Sequence, residues 1–291
     1  MISVAIATFN GDKYIKEQIL SIVNQTLAAS EIIISDDNSS DNTISIIEEL
    51  MLDFPEIKLF KNYENLGVIK NFNKAIRLCS GDYIALCDQD DFWEPSKLET
   101  QFSLMKKYEL FSSKPYLIVH DVTLVDSNLN VIDSSFLNYT GLLSVKNSFK
   151  QLLVWNRNIG CSMFFNKRLK LILGDLGDNA LMHDHWISLI ALISGEIILL
   201  DHNCIKYRQH NHNVTKTIKR NLFDVLISFF YQDSSYLVKQ INQAKEFYQS
   251  YDNVIKYSDR LVLRRFIRLE QKSVIFRKCY VLILKIFNVA I

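Results

Sequence analysis

Four times within residues 1–91 the chain runs through the same short programme: an apolar stretch, then a polar cluster at its end. The apolar stretches are residues 2–7, 32–34, 57–60 and 83–87. They are short and rich in β-branched side chains, so they read as buried strands. Helical patterning lies between them. Residues 14–23 place Ile15, Ile19, Ile22 and Val23 on one face. Ser40-Asp41 opens a second helix that reaches residue 50, and residues 68–78 form a third. This alternation predicts a mostly parallel sheet with helices on both faces. In such sheets ligands bind beyond the carboxyl ends of the strands. The polar clusters fall at those ends: Thr8-Phe9-Asn10, residues 35–39, residues 62–67, and Asp88 to Asp91. Four strand ends therefore converge on one polar site.

Beyond Pro95 the alternation loosens. Residues 97–108 and 183–194 read as helices, and residues 116–125, 161–165 and 197–200 as strands. From about residue 219 the pattern is helical to the end. The expected organisation is an α/β domain over residues 1–215 and a helical C-terminal region over 216–291.

Charge divides along the same line. The net charge is +1, but residues 254–291 carry nine Lys/Arg against two Asp/Glu. The tail is basic and the body mildly acidic. In the tail Arg260, Arg264, Arg265, Arg268, Lys272, Arg277 and Lys278 interleave with apolar residues such as Leu263, Phe266 and Phe276. A basic amphipathic helix suits an anionic membrane surface, which suggests peripheral membrane contact. The alternative is a helical subdomain packed on the core with its charges in water. The acidic body and the lack of a binding motif argue against nucleic acid. The five cysteines form no CxxC pair, as expected of a reduced cytoplasmic protein, and the basic tail suggests a place at the inner face of the cytoplasmic membrane. No segment approaches the roughly 18 apolar residues of a membrane span. The opening MISVAIATF lacks a basic start and reads as a strand rather than a leader.

Asp88 and Asp90 are two apart at a strand end, where both reach one cation, and hard cations prefer carboxylate oxygens. A divalent ion would offset their repulsion and hold a diphosphate. The alternative is a solvated acidic turn. Asp184, in LMHDHWISL, falls where a helix should start. There it acts either as a base or as a cap. His210 and His212 sit in the polar stretch KYRQHNHNVTK, with Arg208 as a fork of donors for phosphate. Trp155 in WNRN either meets a sugar ring or belongs to the core. Trp93 is expected to pack behind the aspartate loop.

The segments ATFN, SDDNSSDNT, ENLGVIKNFNKA and CDQDDFWEPSKL, in this order and spacing, resemble the family-2 inverting glycosyltransferases. The resemblance covers residues 1–215 and implies the GT-A nucleotide-sugar fold. It implies that Asp37 binds the nucleobase, with Ala7, Thr8, Phe9 and Asn10 lining the base pocket. Asp88 and Gln89 would face the donor, and Lys70 would touch it. Asp90 would be the metal ligand of a DxD motif, helped by Asp88 and His210, with Mg²⁺ or Mn²⁺ as the ion. Asp184 matches the general base. The MHDHW and YRQH stretches resemble a bacterial rhamnosyltransferase subgroup. This implies dTDP-L-rhamnose as donor and a lipid-linked oligosaccharide of a surface polysaccharide as acceptor, with a UDP-hexose or UDP-N-acetylhexosamine donor as the alternative. One extra residue separates the aspartate from the tryptophan in MHDHW. A nucleotidylyltransferase is disfavoured because TFNGDKY supplies no Gly-rich basic loop. A non-catalytic nucleotide-sugar-binding protein remains a rival.

Overall fold

The computed structural model describes residues 1–210, 213, 217–219 and 234–286, with the backbone alone for 234, 285 and 286. His212, the expected helix over most of residues 220–233 and the last five residues lie outside the described residues.

The first half follows the alternation. Strand β1 (Ile2–Thr8) leads to α1 (Ile15–Val23), β2 (Glu31–Asp36), α2 (Thr43–Asp53), β3 (Ile57–Lys61), α3 (Val68–Leu78) and β4 (Tyr83–Cys87). A short β5 (Phe92–Trp93) and α4 (Lys97–Glu109) follow. Helix α2 starts at Thr43 rather than at Ser40-Asp41. The Asp41 carboxylate accepts the Thr43 amide (3.0 Å) and hydroxyl (2.6 Å), which fixes the turn just before the helix.

The expected strand over residues 116–125 is two strands. They are β6 (Tyr116–His120) and β7 (Thr123–Val125), and they belong to different sheets. The break falls at Asp121, whose carboxylate takes the Val122 and Leu137 amides. After β8 (Val131–Asp133) come the short helices α5 (Phe136–Tyr139) and α6 (Phe149–Leu152). The strand expected at residues 161–165 is a 3-10 turn, Gly160–Ser162, followed by β9 (Phe164–Asn166). Next are α7 (Lys167–Leu173), α8 (His183–Ser194), β10 (Glu196–Leu200) and β11 (Ile205–Arg208). Helices α9 (Ser234–Tyr251), α10 (Tyr257–Ile267) and α11 (Val274–Ile286) complete the described chain.

Seven strands form the main sheet in the order β10-β6-β9-β4-β1-β2-β3. All neighbours are parallel except at β9, which runs antiparallel to β4 and β6. Thr8 registers with Asp36, and Asp36 with Lys61, so the strand ends line up at one rim. The second sheet has the order β5-β11-β7-β8 and continues past that rim.

Period-two alternation sorts the main sheet into two cores. Val4, Ile6, Ile32 and Ile34 pack under α1 and α2 with Ile15, Ile19 and Ile47. Ala5, Ile33, Ile84 and Leu86 face the other way, toward α3 and α8. That second core also contains Ile241, Phe247, Leu263 and Phe266 of α9 and α10. Those helices thus share a core with the α/β domain. Arg264 reaches the Tyr248 hydroxyl at 2.8 Å, and Arg260 lies 3.0 Å from Asp252. Helix α11 buries Val281 and Leu284 but exposes Val274, Ile275 and Phe276 at its start. Among the described residues no helix is long and apolar enough to cross a membrane.

Candidate active site

The rim is built from the turns that follow β1, β2, β3 and β4. Thr8 is buried, and its hydroxyl donates to Asp36 Oδ1 at 2.9 Å. Asn10 takes a left-handed backbone, φ 47°, which a short amide side chain tolerates. Its side-chain oxygen accepts the Ser40 amide at 2.9 Å. Phe9 stays exposed and Ala7 half-buried. Gln89 reaches across from β4 and pairs with Phe9 in both directions. Its Oε1 accepts the Phe9 amide at 2.9 Å, and its Nε2 donates to the Phe9 carbonyl at 3.1 Å. Gly11 makes room for this, since a Cβ there would lie 2.3 Å from Gln89 Oε1. Residues 7–10 and Gln89 therefore form one fixed rim.

Asp37 is buried behind that rim. It accepts Asn62 Nδ2 at 2.9 Å and the Leu66 and Gly67 amides, each at 2.8 Å. Gly67 sits at φ 81°, a conformation that favours glycine. A carboxylate offers about four acceptor sites, so three internal donors leave about one for a ligand. Asn71, next to Lys70 in sequence, is buried and ties β1 to β2 by donating to the Thr8 and Ser35 carbonyls. Lys70 is exposed and lies 3.3 Å from Asp178, away from the rim contacts above.

The aspartate loop has an open side and a closed floor. Asp88 and Asp90 are half-buried, whereas Asp91 and Cys161 are fully buried. Burial, with the charges of Asp90 and Asp184, pushes the Asp88 pKa up to about 8. Burial, with the charges of Asp90 and Asp88, raises Asp91 as well. Asp91 Oδ1 accepts the Arg208 amide at 3.1 Å, while Oδ2 has no hydrogen-bond partner. Carboxylates that raise one another's pKa fit a divalent cation, which would reverse that shift. Donor atoms of Asp88, Asp91 and Cys161 gather within 4.8 Å. Asp91 and Cys161 are nevertheless sealed off, and an ion that also meets a diphosphate has to lie on the open side. Asp88 and Asp90 are there, and so is His210, whose Nε2 is 2.8 Å from Asp90 Oδ2. Two carboxylates with one imidazole suit Mn²⁺ more readily than Mg²⁺, which favours oxygen alone.

Arg208 is placed differently from the expected phosphate fork. It is 2% exposed. Its Nε donates to the Asp90 carbonyl at 2.8 Å and Nη1 to the Ser127 carbonyl at 2.7 Å, and Nη2 pairs with Glu17. The guanidinium also lies over the Tyr14 ring, which packs against the His210 imidazole. With these donors spent inside the protein, Arg208 braces the aspartate loop from behind. Sequence reasoning missed Tyr14; its only signal is its place just after the first strand end. Behind this brace lies a groove of about 690 Å³ lined by Lys13, Lys16, Phe92 and Leu129. Trp93 is buried behind the loop as expected, with Lys97 Nζ 3.5 Å from its ring centroid.

Asp184 lies in the first turn of α8, and its charge reaches Asp88. The positive end of the helix dipole would keep this carboxylate ionised. Burial wins instead: the pKa is pushed up to about 7, against hydrogen bonds from the His185 amide and the Asn156 side chain. One oxygen, Oδ1, has no hydrogen-bond partner. His183 stacks on Phe72 with ring centroids 3.9 Å apart, and burial keeps it neutral by lowering its pKa to about 3. Trp155 is half-buried beside Asn156, whose amide closes the turn to Asn158. Asp88, Asp90 and His210 share one rim, and the charge of Asp184 acts on Asp88. Asp37 and Arg208 face inward, and Lys70 points to Asp178.

Comparison with known proteins gives this geometry a family. The model of "Glycosyl transferase family 2" matches residues 3–183. The chain belongs to that family. Among similar proteins, an uncharacterized glycosyltransferase of Haemophilus influenzae is 34% identical over 137 residues, 47% of this chain and 41% of its own. The Escherichia coli UDP-Glc:alpha-D-GlcNAc-diphosphoundecaprenol beta-1,3-glucosyltransferase WfgD is 30% identical over 163 residues, 55% of this chain and 58% of its own. This family-2 chain thus spans under two thirds of the length of these relatives. In fold it is similar to residues 1–349 of S. aureus TarS solved with UDP, at TM-score 0.60 and 16% identity over 95% of this chain and 89% of that one. It is also similar to the mannosyltransferase PcManGT of Pyrobaculum calidifontis, solved with GDP-Man and Mn²⁺, at TM-score 0.55 and 16% identity over 98% and 72%. The family-2 chain has the GT-A-like fold, with a mostly parallel sheet and a helical C-terminal region.

Proposed function

We propose that the chain is an inverting, divalent-metal-dependent glycosyltransferase that takes a nucleoside diphosphate sugar as donor. The observation that carries this is the pairing of His210 with Asp90 beside Asp88, with Asp184 near enough for its charge to act on Asp88. The first three would hold Mg²⁺ or Mn²⁺, which when bound neutralises charge on a diphosphate leaving group. The rim of Ala7, Thr8, Phe9, Asn10 and Gln89 would seat the nucleoside, with Asp37 offering its last acceptor site to the base. Asp184 takes the proton of an acceptor hydroxyl. That oxygen bonds to the anomeric carbon from the face opposite the diphosphate. The bond from that carbon to the phosphate oxygen breaks, its electrons leave with the nucleoside diphosphate, and the configuration inverts. A base with a pKa near 7 suits this task at neutral pH.

The proposed donor is dTDP-L-rhamnose, on the strength of the MHDHW and YRQH stretches. The second reading is a UDP-sugar, favoured by the UDP-Glc in the name of the E. coli relative and the UDP in the TarS complex. The acceptor would be a lipid-linked oligosaccharide on its way to a bacterial surface polysaccharide. The enzyme would work at the inner face of the cytoplasmic membrane, where exposed Val274, Ile275 and Phe276 beside Lys272, Arg277 and Lys278 would touch anionic lipid. The test is a panel of nucleotide sugars, scored by calorimetry and by slow hydrolysis with and without EDTA. An EDTA-sensitive signal with dTDP-rhamnose supports the first reading, and one with a UDP-sugar supports the second. No binding by folded protein across the panel, with acceptor lipid present, would overturn the function.

A further inference from the structure

We infer that Gln243 of α9, far along the chain from the rim, is a positioning residue for Asp184. The inference rests on the reading of Asp184 as the base. Helix α9 turns a row of polar side chains toward the two segments that frame Asp184. Gln240 and Gln243 are 4% and 1% exposed, too buried to serve as surface amides. Gln240 Nε2 donates to the Val154 carbonyl at 3.0 Å, just before Trp155 and Asn156. Gln243 Oε1 accepts the Leu181 amide at 2.7 Å, two residues before α8 begins. Its Nε2 lies 3.5 Å from His185 Nδ1. One turn on, Glu246 accepts the Asp178 and Asn179 amides at 2.9 and 2.7 Å.

The protons in this row are determined. The far nitrogen of His185, Nε2, meets the Leu152 carbonyl, so it carries the proton. Burial keeps the ring neutral, with its pKa lowered to about 4. Nδ1 is then an acceptor, and the Gln243 amide is oriented with its NH₂ toward the ring and its oxygen toward Leu181. A single chain of bonds runs from Leu181 through Gln243 and His185 to Leu152. It crosses the first turn of α8, the turn that carries Asp184. Trp186, on the same turn, packs edge-on against Phe247 of α9 at 5.3 Å between centroids. The apolar contact supplies affinity between the helices. The amide chain supplies register, because buried polar groups tolerate no other arrangement without losing a partner. The consequence is that α9, in the helical C-terminal region, sets the position of Asp184.

The test compares wild type, Gln243→Leu, Gln243→Glu and Asp184→Asn in the full chain. Two readouts are taken: steady-state turnover of the donor that the panel identifies, and amide hydrogen exchange over residues 181–186. Gln243→Leu is expected to lower kcat by about 10²-fold, the scale of an ångström-size misplacement, with donor KM within about twofold. It is also expected to speed exchange at Leu181 while distant strands keep their protection. Gln243→Glu keeps the acceptor for Leu181 but loses the donor to His185 Nδ1, so its kcat should lie between wild type and Gln243→Leu. Unchanged kcat and unchanged exchange in Gln243→Leu would overturn the positioning role even with Asp184 confirmed as base. Full turnover by Asp184→Asn would instead overturn the base reading, and the exchange result would still decide whether Gln243 orders this turn.

Discussion

Asp90 and His210 are 120 positions apart in sequence, yet His210 Nε2 lies 2.8 Å from Asp90 Oδ2. One residue ends the turn after β4, and the other follows β11 of the second sheet. What joins them is Arg208, whose Nε donates to the Asp90 carbonyl and whose backbone amide donates to Asp91 Oδ1. The pair is the hinge of the proposed metal site, and several expectations can be measured on it and around it.

Asp90→Ala is expected to abolish metal-dependent donor binding, because it removes the carboxylate that both faces the open side and pairs with His210. His210→Ala should weaken Mn²⁺ binding less, by about tenfold, since one of three proposed ligands is lost and the site stays anionic. Titration calorimetry with Mn²⁺ and nucleoside diphosphate checks both. Equal loss in the two variants would contradict the ranking.

Turnover should depend on pH through Asp184. A base must be deprotonated to act, and burial raises this carboxylate to about 7. The rate is therefore expected to fall as pH drops below about 7, roughly tenfold per pH unit well below it. Asp184→Asn should remove turnover and leave donor binding within about twofold. A rate that is flat from pH 5 to 8 would point to another base.

Gly11→Ala tests the rim. The added methyl would collide with Gln89 Oε1, so Gln89 must release Phe9. Donor affinity is expected to fall by about tenfold, on the order of 1.4 kcal/mol, with little change in kcat at saturation. Gln89→Ala should act in the same direction, and a double variant should add little, because both changes free the same segment.

Glu31 carries a stability prediction remote from the site. Burial alone would raise its pKa, but hydrogen bonds from Lys58, Ser3 and Ser80 outweigh that and lower it to about 2. A depressed carboxylate stabilises the fold above its unfolded pKa. That contribution is lost as pH falls from about 4.5 to about 2. It amounts to on the order of 3 kcal/mol for this buried side chain. Urea midpoints of wild type should drop over that window, and those of Glu31→Gln should start lower and lack this part of the slope.

The parallel half of the fold was readable because periodicity and burial agree there: Ile32, Ile33 and Ile34 alternate between two cores, and the polar ends mark the rim. The region after Pro95 was harder. Residues 116–125 look like one strand because the break at Asp121 depends on bonds to Leu137, which no local pattern reveals. Within the proposed site, Asp88, Asp90, Asp184 and His210 were named from motif, spacing and resemblance. Asp37 and Arg208 were identified as polar residues at strand ends, but the direction of each side chain depends on tertiary partners. Glu17 and Ser127 draw Arg208 inward, and neither is near it in sequence. The role of α9 was invisible for the same reason, since Gln243 reads only as one polar position on an amphipathic helix.

Strand order has a consequence for synthesis. β4 is complete once residue 87 has emerged, but its outer edge pairs with β9, which arrives some eighty residues later. Through that interval the nascent half-sheet presents unpaired backbone donors and acceptors on its growing side. β9 then closes the edge from the opposite direction, and β6 and β10 add beyond it. The antiparallel strand in an otherwise parallel sheet is thus the joint at which the early and late parts of the chain become a single folding unit.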